Sequence, residues 1–161
     1  MITQETFDRL LPGAYQWAKA QEDFVLARGV PLTPRQVEDA RRAGVQDCSR
    51  VRVLVVDRIP PPENPELGEV ARRIGIITED TRCMGFGYAL VIRVDAWSDR
   101  ELILHNLVHI AQCERSGGLT NWVQQYLGDR TTCLDFTVGS LEDEARGLAR
   151  EICSENATVA R

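Results

Sequence analysis

"LILHNLVHIAQ", residues 102–112, decides how the rest of the chain is read. Its two histidines, His105 and His109, are the only two in the chain and stand four residues apart in an apolar run. On a helix that spacing puts both rings on one face, with Cβ atoms about 5–6 Å apart. Two imidazoles so placed converge on one zinc ion at about 2.0–2.1 Å from each nitrogen. A hydrolytic site on such a helix has glutamate directly after the first histidine. Here that residue is Asn106. The pair also suits a core or boundary position in which both rings bond to backbone, and a bare H-x-x-x-H does not choose between the two.

The flanks make the helix explicit. "SDRE" before it matches a capping box, with Ser98 on the first amides and Glu101 reaching back. The spacing predicts a helix over residues 99–115 that stops at Gly117 and Gly118. Cys113 continues the histidine row but lies about 12 Å from His105 at 1.5 Å per residue, too far to share an ion. A third ligand has to come from elsewhere in the chain.

Upstream, residues 12–29 show helical periodicity and end at Gly29. "LTPRQVEDARRAG" reads as a short helix with Thr33 as cap, Pro34 in its first turn and Gly44 as its stop. "RVRVLVVDRI" alternates and is rich in β-branched residues, the signature of a strand. "PPPENP" forces a loop before the helix "ELGEVARRIG". "GFGYALVIRV", residues 85–94, reads as a second strand, with Gly85 and Gly87 marking a bulge or a close backbone approach. Downstream come a short helix in "NWVQQYLG" and a last helix opened by "SLED", with Ser140 as cap and Asp143 three residues later, that runs toward Cys153. This order gives an α+β fold, mostly helical, with a small sheet packed on the histidine helix.

The chain has 161 residues, a length suited to a single domain over residues 1–161, and its 43% hydrophobic content is that of a globular protein. The formal net charge is −5, with acidic and basic residues interspersed. Without a basic stripe, nucleic acid is not an expected partner. No apolar run approaches the ~20 residues that span a bilayer, so no membrane association is expected. "MITQETFDRLL" lacks the pattern of a signal peptide, which leaves a cytoplasmic location as the expectation. Cys48, Cys83, Cys113, Cys133 and Cys153 are odd in number and unpaired in spacing. They read as reduced, mostly buried small hydrophobes.

Taken together, "GFGYALVIR", "WSDREL", "ILHNLVHIAQCER", "SGG" and "LEDEAR" resemble the zincin metallopeptidases, in the branch whose third ligand is a glutamate on a later helix. The resemblance covers about residues 85–150. It implies zinc as cofactor, with His105 and His109 as ligands. Glu142, three residues before Ala145, matches the third ligand, and Glu144 is the alternative. Both carboxylates also suit the first turn of a helix, where they meet its dipole. The resemblance further implies that a strand beside the zinc helix pairs with an extended peptide or protein segment. Phe86, Gly87 and Tyr88 begin that strand. Tyr88 and Tyr126 are candidate oxyanion donors or packing aromatics, and Trp17, Trp97 and Trp122 are expected anchors of the core or its boundary.

Asn106 occupies the position of the family's general base. An amide cannot take a proton from a zinc-bound water, and loss of a general base costs about 10²–10⁴ in rate. Glu101 and Glu114 lie a turn or more away along the helix, so a carboxylate such as Glu101 better suits support of a ligand histidine. Three readings follow: a zinc-binding, metallopeptidase-like pseudoenzyme; an active zinc hydrolase with an unconventional base; or a metal-free interaction domain in which both histidines are structural.

Overall fold

In a computed structural model of the protein, which describes residues 2–132 and 140–159, the run "ALVI" at residues 89–92 lies at the centre of the molecule. It belongs to β4 (Ala89–Arg93), the third strand of a small sheet with β1 (Val30–Pro31), β2 (Arg52–Val56) and β3 (Cys83–Phe86). The order is β1-β2-β4-β3, with β2 and β4 parallel and the other pairs antiparallel. Six helices among the described residues cover this sheet: α1 (Gln4–Arg28), α2 (Pro34–Arg42), α3 (Pro65–Arg73), α4 (Arg100–Arg115), α5 (Leu119–Thr132) and α6 (Ser140–Val159). The fold is mixed α+β and mostly helical.

Alternation along β4 divides the interior in two. Leu90 and Ile92 face a core built with Val53, Leu104, Leu107, Ala145 and Ala149, on the side of α4 and α6. Ala89 and Val91 face the opposite core, with Leu10, Ala14, Ala18, Trp122 and Val123 from α1 and α5. A strand covered on both faces is apolar at every position rather than at every second one. The same logic holds for α4, which is buried from residue 103 to 113 except for the half-buried His105. A helix apolar all round is a central helix. Leu104 and Leu107 are fully buried in it, and truncating either to alanine costs about 2–5 kcal/mol.

Several sequence expectations are corrected. Residues 85–94 form not one strand but a hairpin, β3 and β4, with Phe86 opposite Ala89 and the turn at Gly87 and Tyr88. Gly87 adopts φ +58°, and a Cβ there would meet the Glu22 carboxylate at 2.1 Å, so the turn demands glycine. Gly85 marks the expected close approach: a Cβ on it would lie 2.2 Å from the Asn106 carbonyl oxygen. This glycine lets β3 lie directly against α4. The cap of α4 is Asp99 rather than Ser98, accepting from the Leu102 amide at 3.1 Å while taking Arg82 at 2.7 Å. Glu101 is exposed and faces Arg150 at 3.4 Å instead of reaching back.

The first helix begins at Gln4, capped by Thr3, with Pro12 inside it rather than at its start. Ser140 is the first residue of α6, and α5 extends beyond the short segment expected. Thr33 caps α2 as read, and Gln36, which the sequence reading did not include, returns a bond to complete a capping box. Trp122 is buried and Trp17 half-buried, whereas Trp97 is 42% exposed and anchors no core. Cys83 and Cys113 are buried and Cys48 and Cys153 half-buried, all as free thiols. Cys133 lies outside the described residues. Among the described residues, no helix is long and apolar enough to cross a membrane.

Candidate metal centre

The regular α4 helix sets the first two side chains. His105 and His109 project one turn apart, with rings edge to face at 4.7 Å between centroids and Nε2 atoms 3.0 Å apart. The third comes from the first turn of α6, which packs along α4 on the side of the first core. Glu142 is 9% exposed, with Oε2 lying 3.2 Å from His105 Nε2 and Oε1 lying 3.2 Å from His109 Nε2. Glu144 turns elsewhere, accepting from Arg115 at 2.7 and 2.8 Å and from Gln112 at 2.9 Å. Two residues apart on a helix face nearly opposite directions at 3.6 residues per turn, so only one of these carboxylates can meet the histidines.

These three side chains form a group able to hold a metal ion. Atoms bound to one zinc at about 2.0–2.1 Å in a tetrahedral arrangement lie about 3.3–3.4 Å from one another. The ring nitrogens stand 3.0 Å apart, close to such an edge, and each lies 3.2 Å from a different oxygen of Glu142. The donor set, two imidazole nitrogens and a carboxylate, suits zinc and other first-row divalent ions. The three side chains line a cavity of about 250 Å³, together with β3, Asp80, Arg82 and Tyr126.

Electrostatics agree with the geometry. Burial pushes the Glu142 carboxyl up, but its contacts with His105, His109 and Tyr126 outweigh that and hold it far below the ordinary carboxylate range. Tyr126 donates its hydroxyl to Glu142 Oε1 at 2.6 Å. Its own ionisation is pushed well up, by burial first and by the Glu142 charge second. It also packs as a core aromatic, stacked on Trp122 at 4.9 Å and edge-on to His109 at 5.4 Å. Tyr88 sits elsewhere, donating to Glu114 at 2.9 Å beneath the Arg50 guanidinium.

Asn106 is 5% exposed and lines the cavity, with its Nδ2 donating to the Leu102 carbonyl at 2.9 Å. Nothing about it supplies a base. Glu101 faces Arg150, and Glu114 accepts from Tyr88 and from the Gln46 and Asp47 amides. Besides Glu142, the cavity wall carries one carboxylate among the described residues, Asp80.

The strand read as the substrate rail is redistributed. Residues 89–93 pair on both sides, with β2 and β3, and Gly87 and Tyr88 form the turn. Within the hairpin, the outer edge of β3 pairs with no strand among the described residues, and Cys83, Met84 and Gly85 of that strand line the cavity. Phe86 ends that strand, 3% exposed, packed against Trp17 at 6.0 Å between ring centroids.

Sequence reading missed two contributors. Asp80 sits in the loop before β3, where no motif marks it. Gln112 lies three residues after His109 on the same helix, with Oε1 at 2.8 Å from His109 Nδ1, and that spacing is itself a detectable signal. The support expected from Glu101 comes from Gln112 instead. No family model, no curated protein and no solved structure matches this chain.

Proposed function

We propose that this chain is a zinc-binding, metallopeptidase-like domain of the zincin type whose hydrolytic power is impaired by Asn106. The observation that carries the reading is the convergence of His105 Nε2, His109 Nε2 and the Glu142 carboxylate from two helices. Zinc bound there would act as a Lewis acid and lower the pKa of a bound water. The residues of the chain supply the rest unevenly. Tyr126 orients Glu142, and the free edge of β3 offers backbone groups to an extended peptide or protein segment by strand addition. Asn106, in the wall where a base belongs, can hydrogen-bond a water but cannot accept a proton from it. The product of this arrangement is peptide recognition at a metal site with little turnover.

An active hydrolase with an unconventional base is the second reading. One observation favours it, the presence of Asp80 in the cavity wall.

Metal content tests the primary reading. Protein purified without chelators should carry about one zinc per chain, and His105→Ala or His109→Ala should each lose it. Wild-type protein free of zinc, cobalt and nickel, and taking up none on addition, would remove the proposal.

A further inference from the structure

We infer that Gln112 is the positioning residue that commits His109 to metal binding, by fixing which ring nitrogen carries the proton. The amide of Gln112 can face only one way. Its Nε2 lies 2.8 Å from the Leu141 carbonyl and 2.9 Å from Glu144 Oε2, two groups that only accept. Both amide hydrogens are thereby used, and Oε1 is the atom left 2.8 Å from His109 Nδ1. An amide oxygen accepts, so Nδ1 must donate, and the neutral ring carries its proton there. The Nε2 lone pair then points at Glu142 Oε1, 3.2 Å away. That lone pair also lies 3.0 Å from His105 Nε2, so it is left to accept a ring proton from His105 or to bind a metal ion.

The same side chain ties together the helices that supply the ligands. Gln112 and the histidines ride on α4, whereas Leu141 and Glu144 flank Glu142 on α6. Arg115 completes the chain by holding Glu144 at 2.7 and 2.8 Å. Gln112 therefore sets both the tautomer of one ligand and the seat of another without touching the ion. Partners of this kind behind metal-binding histidines change affinity about 10–100-fold when removed.

The link to affinity rests on the zinc reading above, whereas the tautomer does not, and the test separates them. Long-range ¹H–¹⁵N correlation spectra of the metal-free protein, taken well above the ordinary imidazole range, report the protonated nitrogen of His109 directly. Wild type should show Nδ1 protonated and Nε2 bare. Gln112→Met, similar in length but without donor or acceptor, should move the proton toward Nε2 and weaken zinc binding about 10–100-fold in competition with a chromophoric chelator. Gln112→Glu keeps an acceptor for Nδ1 and loses the donors to α6, so it should keep the wild-type tautomer. A wild-type His109 protonated on Nε2 alone would overturn the inference, with no variant needed. So would a folded Gln112→Met that keeps both tautomer and affinity. Failure of the wild type to bind zinc would instead strike the functional proposal, and the tautomer would still decide the role of Gln112.

Discussion

The two ends of α4 both hold buried carboxylate chemistry, and they treat it in opposite ways. Toward the C-terminal end, Glu114 accepts from the Gln46 amide at 2.8 Å, the Asp47 amide at 3.1 Å and the Tyr88 hydroxyl at 2.9 Å. Nearby, the 8% exposed Glu22 takes the Tyr88 amide at 3.0 Å, with Lys19 at 3.5 Å. Each oxygen there meets a donor, so the carboxylates stitch α1, α4 and the hairpin turn together. One turn past the start of the helix, Glu142 has one dedicated donor, Tyr126, and otherwise faces two ring nitrogens. A carboxylate saturated with donors is architecture. One that shares its oxygens with two ring nitrogens belongs to a group able to hold a metal ion.

The strongest way to sharpen this contrast is to supply what the histidine end lacks. Asn106→Glu should raise metal-dependent cleavage of a peptide library by about 10²–10⁴ over wild type, the usual worth of a general base. If wild type already cleaves and Asp80→Asn abolishes that activity, the unconventional-base reading replaces the impaired one. Next in size is a paired substitution. Glu142→Ala should weaken zinc binding by about 100-fold or more, beyond the effect of a supporting partner, whereas Glu114→Ala should leave zinc content unchanged. Glu114→Ala should instead lower stability by about 1–3 kcal/mol through lost hydrogen bonds to a charged group. At this chain length that corresponds to about 2–4 °C in Tm per kcal/mol. Equal loss of zinc in both variants would break the comparison.

The smallest effect is a titration at the architectural end. Tyr88 is pushed up to about 12, by burial first and then by its bond to the Glu114 carboxylate. An ordinary tyrosine ionises near 10. The folded value is the higher one, so the contribution of Tyr88 to stability is complete below about pH 10 and is lost as pH rises toward 12. Ultraviolet difference titration of wild type against Tyr88→Phe should isolate one phenol ionising near pH 12. A phenol near 10 would mean that the Glu114 network is looser than the structure has it.

The histidine helix was legible because its information is local: a stop at two glycines, a buried face, and two histidines at one-turn spacing. The carboxylate that joins them was legible only as a pair of candidates. Glu142 and Glu144 both flank the apolar stripe of α6, and the choice depends on how that helix rotates against α4, which no local pattern records. The hairpin was misread for a similar reason. Residues 85–94 are apolar enough to pass for one buried strand, and only the position of Glu22 under Gly87, from a helix sixty-odd residues earlier, explains the turn. Asp99 displaced Ser98 as cap because it also binds Arg82, a partner outside the helix. Asp80 depends on a loop path and carried no signal at all.

The outer edge of β3 has a consequence for solution measurements. Amide hydrogens of β4 are locked into ladders on both sides and should be among the last in the chain to exchange with deuterium. Those on the outer side of β3, beside the cavity, have no ladder partner among the described residues and should exchange early. The contrast between neighbouring strands gives the protein an internal clock, in which slowed exchange on β3 alone reports an occupied groove even where no bond is cut.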